Sequence, residues 1–173
     1  MVFPAKEFPL LYRRLRQIQN RIWTFRAPLE AEIRCSAEPE TFAEAQGRAF
    51  VPIKPGTPWG KKLSCAWLKL RGEVPPGLEN PAVLLNNTGE ALIYNAQGSP
   101  LGALNRVWFP FATPQSGGAF RALDVPEPLG PRIELYADCS FNGILMFNLG
   151  RGRFGGAYIG ERDSAAYDFY YDY

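Results

Sequence analysis

Histidine is absent from all 173 residues. That removes the commonest general base and the commonest zinc ligand, and with them every Ser–His or Cys–His nucleophile arrangement. Cysteine is scarce: Cys35, Cys65 and Cys139 form an odd, widely spaced set with no Cys-x-x-Cys pair. A disulfide framework is therefore not expected and a reducing cytoplasm is, each thiol reading as a small buried hydrophobe. Excess charge is lacking too. With 19 Lys and Arg against 17 Asp and Glu, the net charge is +2, too little to gather nucleic acid or acidic lipid. No apolar run approaches the roughly 20 residues of a membrane-spanning helix. The start, Met1-Val2-Phe3-Pro4-Ala5-Lys6-Glu7, lacks the basic head, apolar centre and cleavage site of a secretory signal. The expectation is a cytoplasmic chain with no nucleic-acid or membrane partner. Asn86-Asn87-Thr88 matches a glycosylation sequon, which carries little weight without a secretion signal.

What is present points to β structure. Hydrophobic residues make up 46% of the chain, enough for a core, while 16 Pro and 17 Gly punctuate it throughout. Short apolar runs between such turn residues favour a sandwich or barrel over a bundle. From Pro52 onward the runs Leu63–Leu70, Ala82–Leu85, Ala91–Tyr94, Ile133–Ala137 and Ile144–Asn148 have strand length. Ile133, Leu135 and Ala137 alternate with Arg132, Glu134, Tyr136 and Asp138, the period of two expected of a strand with one wet face. Upstream, Phe8, Leu11, Leu15, Ile18 and Ile22 recur at spacings of three and four, predicting an amphipathic helix over 8–23 with Arg13, Arg14, Arg16 and Arg21 on its other faces. Such a basic helix lies on a membrane or in a partner groove, or packs on a neighbouring domain with its arginines solvated. A short helical turn is expected within 40–49. The fold expected is a mainly β, antiparallel two-sheet sandwich of jelly-roll, galactose-binding-like type. It divides into an N-terminal helix and lead-in over 1–30 and the sandwich over 31–173.

Residues that carry chemistry are few. Gly150-Arg151-Gly152-Arg153-Phe154-Gly155 matches G-x-G-x-x-G, but only 18 residues follow Gly155. A dinucleotide site needs a helix, a second parallel strand and an acidic residue after the glycines, so the stretch reads as a turn or domain-joining loop. Glu90, Glu134 and Asp138 are the carboxylates with local context. Glycoside hydrolysis needs two of them about 5–9.5 Å apart, which sequence cannot place; solvated strand carboxylates are the plain alternative. Trp59, in the turn-like Pro58-Trp59-Gly60, and Trp108, in Trp108-Phe109-Pro110-Phe111, are open to two readings: exposed rings on which sugars stack, or core and interdomain packing. Trp67 reads as core. For sugar contact the candidates are Trp59, Glu90, Tyr94 and Asn142, a ring to stack on with carboxylate and amide partners for hydroxyls.

Several segments in order resemble the N-terminal β-domain of α-mannosidases of glycoside hydrolase family 38. Gly89-Glu90-Ala91-Leu92-Ile93-Tyr94, then Gly98 and Gly102-Ala103-Leu104-Asn105, is similar to that family's G-E-G-L-V-Y … G … Q-G-L-D. Pro55-Gly56-Thr57-Pro58-Trp59-Gly60 followed by Ala66-Trp67-Leu68-Lys69 resembles its G-x-x-W-G and succeeding strand, with Gly72-Glu73-Val74-Pro75 in the place of its I-P. Arg13 to Arg26 with Ala27-Pro28-Leu29 looks like its opening helix, and Glu134, Asn142 and Gly143 match its E … N-G strand. Ala166-Tyr167-Asp168-Phe169-Tyr170-Tyr171-Asp172 resembles the stretch leading into its catalytic domain. The family's histidine after G-L-D is missing, the chain reading Asn105-Arg106-Val107-Trp108.

The resemblance implies a noncatalytic module of an enzyme that hydrolyses α-mannosides with retention. Zinc and the carboxylate nucleophile would belong to a following domain of the same parent, and no cofactor to this chain. The implied partners are that catalytic domain and mannose-containing oligosaccharide. Independently, the helix over 8–23 and the aromatic tail Tyr167 to Tyr173 are expected to expose apolar surface that a second copy of the chain covers. Tyr167, Phe169, Tyr170 and Tyr171 are the expected interdomain surface. A self-standing carbohydrate-binding module and a protein-interaction domain are the alternatives.

Overall fold

The computed structural model describes residues 8–19, 21–61, 63–87, 89–104, 121–124, 130–141 and 152–172. In chain order its elements are α1 (Phe8–Gln19), β1 (Trp23–Pro28), β2 (Glu30–Ser36), α2 (Phe42–Gln46), β3 (Val51–Pro52), β4 (Pro58–Trp59) and β5 (Ser64–Glu73). They continue with β6 (Pro81–Asn87), β7 (Glu90–Asn95), β8 (Pro100–Leu104), β9 (Arg121–Asp124), β10 (Arg132–Phe141), β11 (Gly152–Arg162) and α3 (Ser164–Asp172). Two antiparallel sheets form the jelly roll. The larger is ordered β3-β2-β5-β10-β7-β8; the smaller is ordered β1-β11-β6-β9, with β4 also pairing to β11.

The alternation in sequence sets the layers. On β10, Ile133, Leu135, Ala137, Cys139 and Phe141 enter the core, where they meet Ala66, Leu68 and Leu70 of β5 and Ala91 and Ile93 of β7. The smaller sheet supplies Val83 and Leu85 from β6 and Phe154, Ala157 and Ile159 from β11. The strands expected around 63–70, 82–85, 91–94 and 133–137 are all present, and longer. β5 begins at Ser64 because Leu63 has a φ of 62°, outside the extended range. The strand expected over 144–148 lies outside the described residues.

Three local expectations are corrected. The helix expected over 8–23 stops at Gln19, a turn closing from the Arg21 N–H to the Ile18 carbonyl. Ile22 is then buried and Trp23 opens β1, paired with Arg162 of β11; Ile22-Trp23-Thr24-Phe25 is a β-branched and aromatic run that suits a strand. Gly152–Gly155, expected in a loop, opens β11 instead. Tyr136, expected on a wet face, is only 2% exposed because α2 covers it.

The short helix expected within 40–49 is α2. Thr41 caps it, its hydroxyl accepting from the Glu44 N–H at 3.3 Å while the Glu44 carboxylate accepts from the Thr41 N–H at 2.7 Å, a reciprocal capping box. Among the described residues, no helix is long and apolar enough to cross a membrane.

Candidate functional site

Register decides which side chains share a surface. On the outer face of the larger sheet, Glu30 lies level with Arg71 and Glu134, Glu32 with Lys69, Tyr136 and Tyr94, and Arg34 with Trp67, Asp138 and Leu92. α2 covers the middle of this face. Phe42 packs on Trp67, Tyr94 and Tyr136 with ring centroids 5.8, 5.8 and 5.1 Å away. Arg34 clamps Glu40 through two 2.8 Å hydrogen bonds, and the Trp67 indole donates to the Glu40 carbonyl at 3.1 Å. Tyr94 is therefore half-buried in a packed aromatic cluster, not displayed on a concave surface.

Below the cluster runs a charged strip. Arg71 donates to Glu134 at 2.7 Å and reaches Glu32 at 3.4 Å, while the Tyr136 hydroxyl donates to Glu134 at 2.9 Å. Lys69 stands 3.6 Å from Glu134 and over the Tyr136 ring. The strip borders an open groove of about 640 Å³ whose walls include Leu29, Glu30, Arg71, Gly72, Arg132 and Glu134. Fixed donors and acceptors of this kind suit a polar ligand. Sequence reading missed the strip, although Glu30, Glu32 and Arg34 alternate with Ala31 and Ile33 in the same period of two that exposed β10.

The electrostatics speak against acid–base work here. Burial pushes the Glu134 carboxyl upward, but hydrogen bonds from Arg71 and Tyr136 and the charges of Lys69 and Arg71 outweigh it and hold the group below the ordinary carboxylate range. A general acid needs the reverse. Burial raises the Asp138 carboxyl above its ordinary value. Asp138 sits four residues from Glu134 on the same strand face, about 13 Å at 3.3–3.4 Å per residue, beyond the spacing of glycosidase pairs. Glu90, opposite Ser140, is a diagonal neighbour of Asp138. As diagonal neighbours they stand about 7–8 Å apart, inside the window of such pairs, but neither lines the groove beside the strip.

A raised folded pKa means that the ionised carboxylate costs stability once pH exceeds the unfolded value, about 3.9 for Asp. Asp138→Asn is therefore expected to stabilise the protein at pH 7. The gain should shrink as pH falls through the raised folded value and be lost below the unfolded value of about 3.9, where Asp138 is protonated in both states. Urea midpoints at pH 7 and pH 3.5 measure it.

Of the two readings open for Trp59, packing is the one found: the ring is 4% exposed and faces the inner core. β4 pairs with β11, which carries the indole between the sheets; its Nε1 donates to Asn87 Oδ1 at 2.7 Å and its ring meets Phe141 edge-on. A ring buried there offers no face to a sugar. Glu90 is exposed on β7. Trp59, Glu90 and Tyr94 thus do not converge: Trp59 lies inside the sandwich and the other two on the outer face of the larger sheet. Asn142 and Trp108 lie outside the described residues.

Tyr167, Phe169, Tyr170 and Tyr171 lie on α3. Tyr167 packs edge-on against Trp23 at 6.4 Å, with the Arg162 guanidinium 4.8 Å over its ring. Tyr170 is half-buried and Phe169 is 45% exposed; Tyr171 lies within the helix. Asp163 starts α3, its carboxylate accepting from the Ala166 N–H at 2.9 Å. α1 packs against α3, and a hollow of about 690 Å³ opens between Ile18 and Arg21 on one side and Asp163, Ala166 and Phe169 on the other.

Comparison with known families decides what this sandwich is. The family described as alpha-mannosidase, jelly roll domain (Ams1-like) matches residues 28–151. The chain belongs to that family. No curated protein matches it significantly. The α-mannosidase jelly roll match spans β2 to β10, including α2 and the charged strip. β11, which pairs with β1, β4 and β6, follows the matched span.

Proposed function

We propose that the chain is a noncatalytic N-terminal β-sandwich module of an α-mannosidase of glycoside hydrolase family 38, supporting a zinc-dependent catalytic domain that hydrolyses α-mannosides. The jelly roll family match over 28–151 carries this reading. The zinc does not fit the residues of this chain: it has no histidine, and no group of three His, Cys, Asp or Glu among the described residues is placed to hold a metal. The metal belongs, on this reading, to the parent's catalytic domain, which is also the module's first partner. Support here means burying the domain's flank and fixing its cleft, not contacting sugar, since Trp59, Glu90 and Tyr94 do not converge. A reducing, cytoplasmic setting accompanies it, in keeping with three unpaired cysteines.

The purified chain is expected to leave an aryl α-mannoside intact and to retain no stoichiometric zinc after dialysis; turnover free of contaminants overturns the noncatalytic assignment. The parentage is tested in the coding sequence beyond Tyr173. A continuing frame with a His- and Asp-bearing zinc motif is the expected result, and a frame that stops or enters an unrelated domain sinks the proposal.

A further inference from the structure

α1 and α3 pack side by side yet carry opposite charge. α1 holds Arg13, Arg14 and Arg16 with no acid, and α3 holds Asp168 and Asp172 with no base. Arg13, Arg14, Asp168 and Asp172 are exposed, and among the described residues none of them makes an ion pair. The same two helices present exposed apolar side chains, Leu10 at 58% and Phe169 at 45%. Beside Phe169 lies the hollow that it shares with Ile18 and Ala166.

We propose that this face is a two-fold interface with a second copy of the chain, in which α1 of one copy lies on α3 of the other. The charge pattern selects that occupant. A two-fold axis makes the same patch meet itself, so a patch half positive and half negative is complementary to its own rotated image. Each copy's arginines then meet the other copy's aspartates, twice over. Apposing α1 on α1 would set like charges together, which costs several kcal/mol and excludes that register. Leu10 and Phe169 supply the apolar area beneath the charges, and Phe169 borders a hollow able to receive a side chain of the second copy.

The face is small. α1 is about 18 Å long at 1.5 Å per residue, so two such helices cover less than the roughly 800 Å² per partner of a standard interface. The dimer is therefore weak, concentration-dependent and sensitive to salt. Other apolar exposure, such as Val51 at 60% on β3, has no charge pattern to say what covers it.

Sedimentation equilibrium of the 173-residue chain decides the matter. The weight-average mass is expected to rise from 19.4 kDa toward twice that value between about 10 and 500 µM, association weakening about tenfold or more as salt rises from about 50 to 500 mM. Arg13→Glu with Arg14→Glu should abolish it, as should Asp168→Arg with Asp172→Arg. Combining all four substitutions in one chain should restore it. These positions are exposed, so circular dichroism should remain unchanged. A monomer at every concentration leaves the face to some other domain and overturns the proposal. A dimer indifferent to the charge reversals places the interface elsewhere and overturns it equally.

Discussion

Trp59→Ala is expected to destabilise the sandwich by about 3–5 kcal/mol, the range for deleting a large aromatic from a packed core. The indole is 4% exposed and touches Phe141, and its N–H is bonded to Asn87, itself only 7% exposed. Truncation leaves a cavity and also strips the buried Asn87 oxygen of its donor, an additional loss of about 1–3 kcal/mol when no water enters. Trp59→Phe separates the two parts: it keeps most of the apolar volume and loses the hydrogen bond, so its cost should lie near the smaller figure. Urea unfolding followed by far-ultraviolet circular dichroism reads both. A sugar-stacking platform on the surface would behave otherwise, an exposed substitution away from the core usually shifting stability by less than about 0.5 kcal/mol. An unchanged midpoint in Trp59→Ala would therefore reinstate Trp59 as a ligand residue.

The contrast between Trp59 and Trp67 shows where sequence was sufficient. Trp67 lies within an unbroken apolar run, Ala66-Trp67-Leu68, and its burial was legible from that run. Trp59 stands between Pro58 and Gly60, residues that normally punctuate turns. Its burial depends on β11, whose glycines hid it from a strand reading. Gly152 is that strand's partner to Trp59: a Cβ there would lie 2.8 Å from the Trp59 carbonyl oxygen and 2.9 Å from the ring. Gly160 has the same relation to the backbone oxygen of Thr24, at 2.9 Å. The glycines thus permit close tertiary approach, which outweighs their poor intrinsic strand propensity. No local pattern reports a contact formed by residues nearly a hundred positions apart.

β10 is the opposite case. Its alternation named its inner face correctly and misjudged only Tyr136, which α2 covers. That cover follows from a capping box in sequence, Thr41-x-x-Glu44, but where a five-residue helix lands is a tertiary matter. The same limit applies to the site. Arg71, Glu134 and Glu32 come from three strands, and only the β2-β5-β10 register brings them together. The order of short motifs made the family legible, because it depends on the sequence positions of turns and strands and not on where they meet in space.

Gly89→Ala is expected to cost more than about 3 kcal/mol, because it combines backbone strain with a collision that cannot relax. Gly89 has a φ of 136°, a region essentially reserved for glycine and worth about 1–3 kcal/mol to any other residue. A Cβ there would also stand 2.4 Å from the Ser140 carbonyl oxygen, on the β10 residue paired with Glu90. Backbone in a sheet interior cannot step aside as a side-chain tip does, so overpacking adds about 1–3 kcal/mol more. Gly56→Ala is the control. Gly56 has a φ of 90°, and a Cβ added to it would meet nothing within 4 Å, so it carries strain alone. Its cost should stay near 1–2 kcal/mol, and the difference between the two variants isolates the contact with Ser140. Equal urea midpoints for the two would mean that β10 yields at Ser140, and the β7–β10 register would then be softer than the ladder from Glu90 to Asn95 implies.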